Sequence, residues 1–359
     1  MDNVLSAIPV KKDCPDADSR EENIETDKII DFYRKSSTEE LCAKASEVAL
    51  ERHGKSVYLR GLIEFSNYCS MDCLYCGIRR GNNKAVRYRL SGDEIVSAAK
   101  SGWSAGLKTF VLQGGEDPYC STDMMCRVTE RIKELTAGEA AVTLSLGIKS
   151  KADYSLLKKA GADRYLIRFE TSDPDLHRYL RGGVTLERRL EAIYDLKELG
   201  FETGSGYMTG LPGETEETRI NNALLCRKLG LDMAGIGPFI PHNDTPLAGE
   251  KQMPLDLCIR ATALLRLLLP EAHIPATTAA GSLEPDGRER MIAAGANVLM
   301  PNITPLGVKK HYLLYPGKIC LEESGLECIG CLSMRVKTAG RELDFGLGSA
   351  LRKASEKTA

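Results

Sequence analysis

Phe65-Ser66-Asn67-Tyr68-Cys69-Ser70-Met71-Asp72-Cys73-Leu74-Tyr75-Cys76-Gly77 is the stretch from which the rest of the chain can be read. Just ahead of the cysteines, Leu62, Ile63 and Phe65 form an apolar run of strand character, so a C-x3-C-x2-C loop leaves a strand end. Thiolates are soft ligands that select iron–sulfur clusters or zinc. Closed structural sites of either kind take four protein ligands, and here the local set stops at three. A 4Fe-4S cluster held by Cys69, Cys73 and Cys76 would keep one iron open to a further ligand. The alternatives are a zinc ion with a distant fourth ligand, or three buried thiols that hold nothing.

Outward from this loop, short apolar runs alternate with amphipathic stretches, the pattern of βα units on a parallel sheet. Strands are expected over 58–65, 108–112, 140–146, 164–169, 203–209, 232–237, 273–277 and 297–300. Helices are expected over 92–104, 121–136, 149–160, 186–199, 215–229 and 255–268, with Ser91 and Ser121 as caps. The fold class is therefore α/β, and eight strands predict a complete (β/α)8 TIM-type barrel over residues 51–305. A half-open barrel or a doubly wound sheet has the same periodicity. Residues 1–50 are charged and helix-prone and are expected as an N-terminal helical extension. Residues 306–359, which carry three more cysteines, are expected as a C-terminal extension.

With 48 basic and 50 acidic residues the 359-residue chain has a formal net charge of −2, and no basic block points to nucleic acid or an anionic membrane. No run of apolar residues is long enough to span a bilayer. Met1-Asp2-Asn3-Val4-Leu5 has no basic n-region and no long apolar core, so no signal peptide is expected. Twelve cysteines without export signals point to metal or redox chemistry in a reducing compartment, hence a cytoplasmic protein. Cys14, Cys42, Cys120, Cys126, Cys226 and Cys258 lack partner spacing and read as incidental or as small hydrophobes.

The cysteine spacing, with Tyr75 between the last two, resembles the radical S-adenosylmethionine (SAM) superfamily. There the open iron chelates the amino and carboxylate groups of SAM, and an electron cleaves it to methionine and a 5'-deoxyadenosyl radical. Chemistry in a barrel sits after the C-terminal strand ends, where polar residues crowd in this chain. After the second strand, Gln113-Gly114-Gly115-Glu116-Asp117-Pro118 resembles the SAM-amine motif, although Gly-Gly-acid-Pro is also a common turn. Arg168-Phe169-Glu170-Thr171 closes the fourth strand; Glu170 would take ribose hydroxyls or the amine, and Arg189 the SAM carboxylate. The rival reading there is an internal Arg–Glu ion pair. Gly235-Ile236-Gly237-Pro238 resembles the segment that packs on adenine, and could equally be a turn, while His242 reads as structural. Thr277-Thr278 and Met300-Pro301-Asn302 follow the last two strands, where a substrate would lie. Cys320, Cys328 and Cys331, spaced C-x7-C-x2-C, suggest a second cluster of 2Fe-2S or 4Fe-4S type, with zinc or free thiols as alternatives.

Longer segments are similar to one family, the FeFe-hydrogenase maturase HydE. They include Ile63-Glu64-Phe65-Ser66-Asn67, Thr143-Leu144-Ser145-Leu146-Gly147, Gly237-Pro238-Phe239-Ile240-Pro241-His242, Pro275-Ala276-Thr277-Thr278 and Tyr315-Pro316-Gly317-Lys318-Ile319-Cys320. The resemblance implies a radical SAM enzyme with a complete barrel around a long cavity. It implies a role in assembling the di-iron part of the hydrogenase H-cluster. The substrate would be a small iron complex bearing CO, cyanide and cysteine, supplied by the maturase HydG, and the product would pass toward HydF. The radical would attack the sulfur of the iron-bound cysteine. Gln113, Thr143, Thr277, Thr278, Met300, Tyr312 and Tyr315 would line the substrate part. Tyr75, Gly114, Gly115, Glu116, Arg168, Glu170, Arg189 and Ile236 would lie near SAM. The sequence departs from other members at Phe169 and Gly114. Related readings are a 3-methylornithine synthase or biotin-synthase-like enzyme, or a non-catalytic iron–sulfur carrier.

Overall fold

A computed structural model describes residues 20–351; Met1–Leu5 and Cys14 lie outside the described residues. Two helices, α1 (Arg20–Lys35) and α2 (Thr38–His53), come first. The break between them is chemical: Ser37 caps α2 in a reciprocal box with Glu40, whose side chain returns to the Ser37 amide. Next come β1 (Ser56–Leu59), β2 (Gly61–Ser66), α3 (Gly92–Ser104), β3 (Thr109–Gly114), α4 (Thr122–Leu135), β4 (Ala141–Ser145) and α5 (Lys151–Lys159). They are followed by β5 (Arg164–Leu166), α6 (Pro174–Leu180), α7 (Leu186–Glu198), β6 (Glu202–Thr209), α8 (Glu216–Lys228), β7 (Met233–Pro238) and α9 (Asp256–Leu268). The chain ends with α10 (Thr278–Leu283), α11 (Gly287–Ala293), β8 (Val298–Leu299), α12 (Leu306–Lys309), α13 (Cys328–Thr338) and β9 (Glu342–Asp344).

Strands β2 to β7 form a six-stranded parallel sheet in chain order, and β8, β1 and β9 form a three-stranded one. Every residue of β2 is buried, as expected for a parallel sheet covered on both faces. The helices on its outer face bury their apolar stripes against it, with Ile95, Met125, Leu157 and Ile193 fully inside. Serine caps start α3, α4 and α5 where the sequence places them, at Ser91, Ser121 and Ser150.

Two expected strands are altered. The run 164–169 is regular only to Leu166, and pairing resumes at Glu170, which takes φ 70° and bridges Tyr207. The run 273–277 is reduced to single bridges, Met233 to His273 and Pro275 to Val298, since Pro275 has no amide to give a ladder. Backbone bonds nonetheless cross both gaps in the sheet. Ala234 N donates to His273 O and Ala276 N to Val298 O, while Leu62 N reaches Pro301 O and Ile303 N reaches Leu62 O.

Strand β9 and the tail after it were not foreseeable from periodicity. The tail covers the N-terminal end of the strands and satisfies buried cations there. Arg164 binds Glu202 at 2.6 Å and the carbonyls of Leu347 and Gly348, and Arg60 shares the Gly348 carbonyl. No helix among the described residues is long and apolar enough to cross a membrane.

Candidate active site

Strand β2 delivers the cysteine loop, and Asn67 fixes where it starts. The Asn67 amide donates to Val86 O and His311 O, each at 2.7 Å, and its carbonyl oxygen accepts from Tyr88 N. Cys69, Cys73 and Cys76 then line one end of a cavity of about 340 Å3. Burial pushes all three thiols up, and thiol–thiol repulsion adds to this at Cys69 and Cys76. At Cys73 the Arg181 cation opposes it. A tetrahedral zinc site holds sulfurs about 3.8 Å apart at Zn–S of 2.3 Å. Among the described residues, one group of three candidate ligand atoms lies mutually within 4.8 Å, and it is not this one. The three thiols are thus not drawn together as tightly as around one ion.

Beside the thiols stands the loop after β3. A Cβ on Gly115 would lie 2.1 Å from Tyr68 O, so only glycine lets the two loops touch. That contact lets Glu116 N donate to Cys69 Sγ at 3.4 Å. Glu116 Oε1 sits 3.4 Å from Arg189 Nη2 and 3.5 Å from Arg181 Nη2. Burial raises the Glu116 carboxyl, and the Arg181 charge pulls it back. Arg181 also donates to the Tyr75 hydroxyl at 2.9 Å. Arg181 was not singled out from the sequence; its only local signal is a position ahead of Gly182-Gly183, at the C-terminus of α6.

Arg168 and Glu170 face the same space, 3.1 Å apart, so the internal ion pair weighed above is present. It is not complete. Glu170 Oε2 faces Arg168 at that distance without a well-directed hydrogen bond, and Nε of Arg168, Arg181 and Arg189 is buried with no hydrogen-bond partner. A positive φ at a non-glycine residue costs roughly 1–3 kcal/mol and gathers at ligand-binding positions, and Glu170 has one. Three arginines with unpartnered Nε donors, beside the Glu170 carboxylate, suit a zwitterion bearing carboxylate, amine and hydroxyls. SAM is such a ligand, so the residues fit it.

Gln113, Thr277, Thr278, Met300, Tyr312 and Tyr315 line the same cavity. Gln113 Nε2 donates to the Tyr312 hydroxyl at 3.3 Å. Thr277 Oγ1 also caps α10, accepting from Ala280 N. Thr143 and Ile236 are not among the lining residues, in contrast to the expectation. Ser145 lines the cavity, and Thr143 sits two residues deeper on the same face of β4. Ile236 alternates with the lining residue Gly237, so its side chain belongs to the hydrophobic core. Sequence reasoning missed Glu64 and Lys318, which line the cavity as an ion pair at 2.6 Å, with Asn302 on the second carboxylate oxygen.

Cys320 and Cys328 also line this cavity. Their thiols lie with a Glu323 carboxylate oxygen mutually within 4.8 Å, and Cys328 Sγ donates to Glu323 at 2.9 Å. Cys331 does not join this group. It lies one turn along α13 and is exposed, so two thiols and a carboxylate converge where three thiols were expected.

The model of the radical SAM superfamily matches residues 63–226. The FeFe hydrogenase maturase subunit HydE of Thermotoga maritima is 47% identical over 304 residues, covering 85% of this chain and 86% of that protein. A 3-methylornithine synthase of Methanosarcina barkeri is 28% identical, covering 77% of this chain and 78% of that protein. The crystal structure of a methylornithine synthase superposes with a TM-score of 0.77 at 26% identity, covering 93% of this chain and 96% of that one.

Proposed function

This chain belongs to the HydE family of FeFe-hydrogenase maturases, radical SAM enzymes, and we propose that it acts on an iron-bound cysteine during H-cluster assembly. The observation that carries this reading is one cavity lined by three thiols and Glu170 together with Gln113 and Tyr312. Cys69, Cys73 and Cys76 would hold the 4Fe-4S cluster, which when bound supplies the electron for reductive cleavage of SAM. Arg189 and Arg181, whose Nε donors lack partners, would take the SAM carboxylate, and the Glu170 carboxylate would accept from its amine or ribose. Glu116 keeps both arginines in place. The Gln113–Tyr312 pair, Thr277 and Thr278 offer donors and acceptors to a compact polar complex in the same cavity, where exclusion of bulk solvent limits side reactions of a reactive intermediate.

The complex would carry CO, cyanide and cysteine, come from HydG, and leave toward HydF, all in a cytoplasmic setting. The backbone bonds across both gaps in the sheet support a complete (β/α)8 ring over 51–305, flanked by extensions at 1–50 and 306–359. Cleavage of SAM to 5'-deoxyadenosine is expected with the cysteine-bearing iron complex and not with lysine. Turnover with lysine would replace this reading by that of a methylornithine synthase.

Cys320, Cys328 and Cys331 would hold an accessory cluster, with Glu323 as the competing ligand. Cys328→Ala is expected to lower bound iron while most SAM cleavage remains. Unchanged iron content, or an inactive protein whose first cluster is intact, would count against an accessory role.

A further inference from the structure

The loop that leads into α13 gathers a set of ligand atoms different from the one its cysteine spacing suggests. Cys320 Sγ, Cys328 Sγ and a Glu323 carboxylate oxygen all lie within 4.8 Å of one another, and Cys328 Sγ meets Glu323 at 2.9 Å. Around one tetrahedral zinc ion, with bonds of about 2.3 Å to sulfur and 2.0–2.2 Å to oxygen, such atoms stand roughly 3.6–3.8 Å apart. Each pair therefore has to close by about 1 Å at most.

The surroundings hold this group together. Ser324 N donates to Glu327 Oε2 at 2.9 Å and Glu327 N to Ser324 Oγ at 3.2 Å, a reciprocal turn that brings Glu323 back onto Cys328. A Cβ on Gly325 would lie 2.2 Å from Asn302 O, so only glycine lets the loop press on the chain that follows β8. Cys320 takes φ 61°, a strained conformation that gathers at ligand-binding positions. Lys309 is fully buried, donates to Glu323 O at 2.7 Å and interacts electrostatically with both thiols. A cation thus stands beside three ligands that are anionic when they bind a metal. Cys331 stays outside the group. It is exposed and bonded to Arg335, which Glu289 holds at 2.6 Å.

We propose that Cys320, Cys328 and Glu323 bind a single thiophilic divalent ion of the zinc type, and that this ion and a cluster on Cys320, Cys328 and Cys331 exclude one another. Two thiolates select such an ion over magnesium or calcium. Each thiol gives its proton to solvent as its sulfur–metal bond forms, and the metal replaces the proton that Cys328 shares with Glu323. Cys320 and Cys328 line the cavity, so the fourth position is left to water or to a ligand from that side. Because two thiols are common to both sets, the metal that arrives decides whether Glu323 or Cys331 completes the site.

This inference is independent of the radical SAM reading, and its test takes the first thiol loop out of view. Full-length protein carrying Cys69→Ala, Cys73→Ala and Cys76→Ala would be titrated anaerobically with cobalt(II), then with zinc in competition. The same titrations would follow with Glu323→Ala or Cys331→Ser added; both residues are exposed, so neither change opens the core. One equivalent of cobalt is expected, with thiolate charge-transfer and tetrahedral d–d absorption. Glu323→Ala should raise the zinc Kd by about 100-fold, since loss of an outer-sphere partner already costs roughly 10–100-fold, whereas Cys331→Ser should stay within about two-fold. Zinc loaded beforehand should also block iron uptake during cluster reconstitution of the same protein. Parental zinc affinity in Glu323→Ala, an equal loss in Cys331→Ser, or absence of the cobalt bands would overturn the single-ion site. Iron uptake indifferent to zinc would overturn the exclusion. SAM cleavage by the parent enzyme is untouched by any of these outcomes.

Discussion

Cys69→Ala is expected to abolish SAM cleavage while leaving the fold intact. The side chain is half-buried in a loop, so its loss opens little core volume. What it removes is one of three thiols and the acceptor for Glu116 N. With a fourth protein ligand already lacking, two thiols cannot retain a multi-iron cluster. Loss of an outer-sphere partner costs a metal site roughly 10–100-fold, and loss of a direct ligand from so small a set should exceed that. Anaerobic reconstitution followed by electron paramagnetic resonance and 5'-deoxyadenosine assay measures both consequences. The reduced parent should give a cluster signal that changes on adding SAM; the variant should give neither signal nor product. Cleavage retained in Cys69→Ala would overturn the assignment of the loop as the cluster site.

Lys318→Ala is expected to be the most destabilising single change in the cavity wall. Lys318 donates to both oxygens of Glu64, at 2.6 and 2.8 Å, and to Tyr312 O at 3.0 Å. Side chains of both partners are almost fully buried. Removing one member of a buried pair typically costs about 3–5 kcal/mol, because a charge is left without compensation. Burial already pushes the Glu64 carboxyl up, and the Lys318 cation is the main force holding it down. Without Lys318 its folded-state pKa rises further above its unfolded value. The loss should therefore be greatest at neutral and alkaline pH and shrink as pH falls through that raised pKa, where the carboxyl goes in neutral. Urea unfolding at several pH values tests the sign. Adding Glu64→Leu to Lys318→Met should recover much of the stability, since an apolar pair of similar volume carries no desolvation cost. A Lys318→Ala loss that is small, or larger in acid, would contradict this account.

Legibility in the sequence followed the range of the interactions. Helix α3 occupies the expected 92–104 because Ser91, Glu94 and the apolar stripe all lie within that segment. The strand run 273–277 dissolved into bridges for an equally local reason, a proline that could have been given more weight. Thr143, placed near substrate by the family resemblance, is absent from the cavity lining, where Ser145 two residues along β4 takes its place; a resemblance does not say how deep along a strand a side chain sits. Arg181 escaped notice because its meaning comes from partners at 75 and 116, and nothing near it in the chain marks it.

From the sequence alone came the three-thiol loop, its incomplete ligand set, the βα alternation and the family likeness. Each depends on residues within one element or one loop, where spacing and chemical type suffice. Only the tertiary structure decided that Glu64 pairs with Lys318, 254 residues away, that Glu116 sits against Arg181 and Arg189, and that Glu323 joins Cys320 and Cys328. Buried charges must find compensation wherever the folded chain brings it, and the chain order does not record that choice.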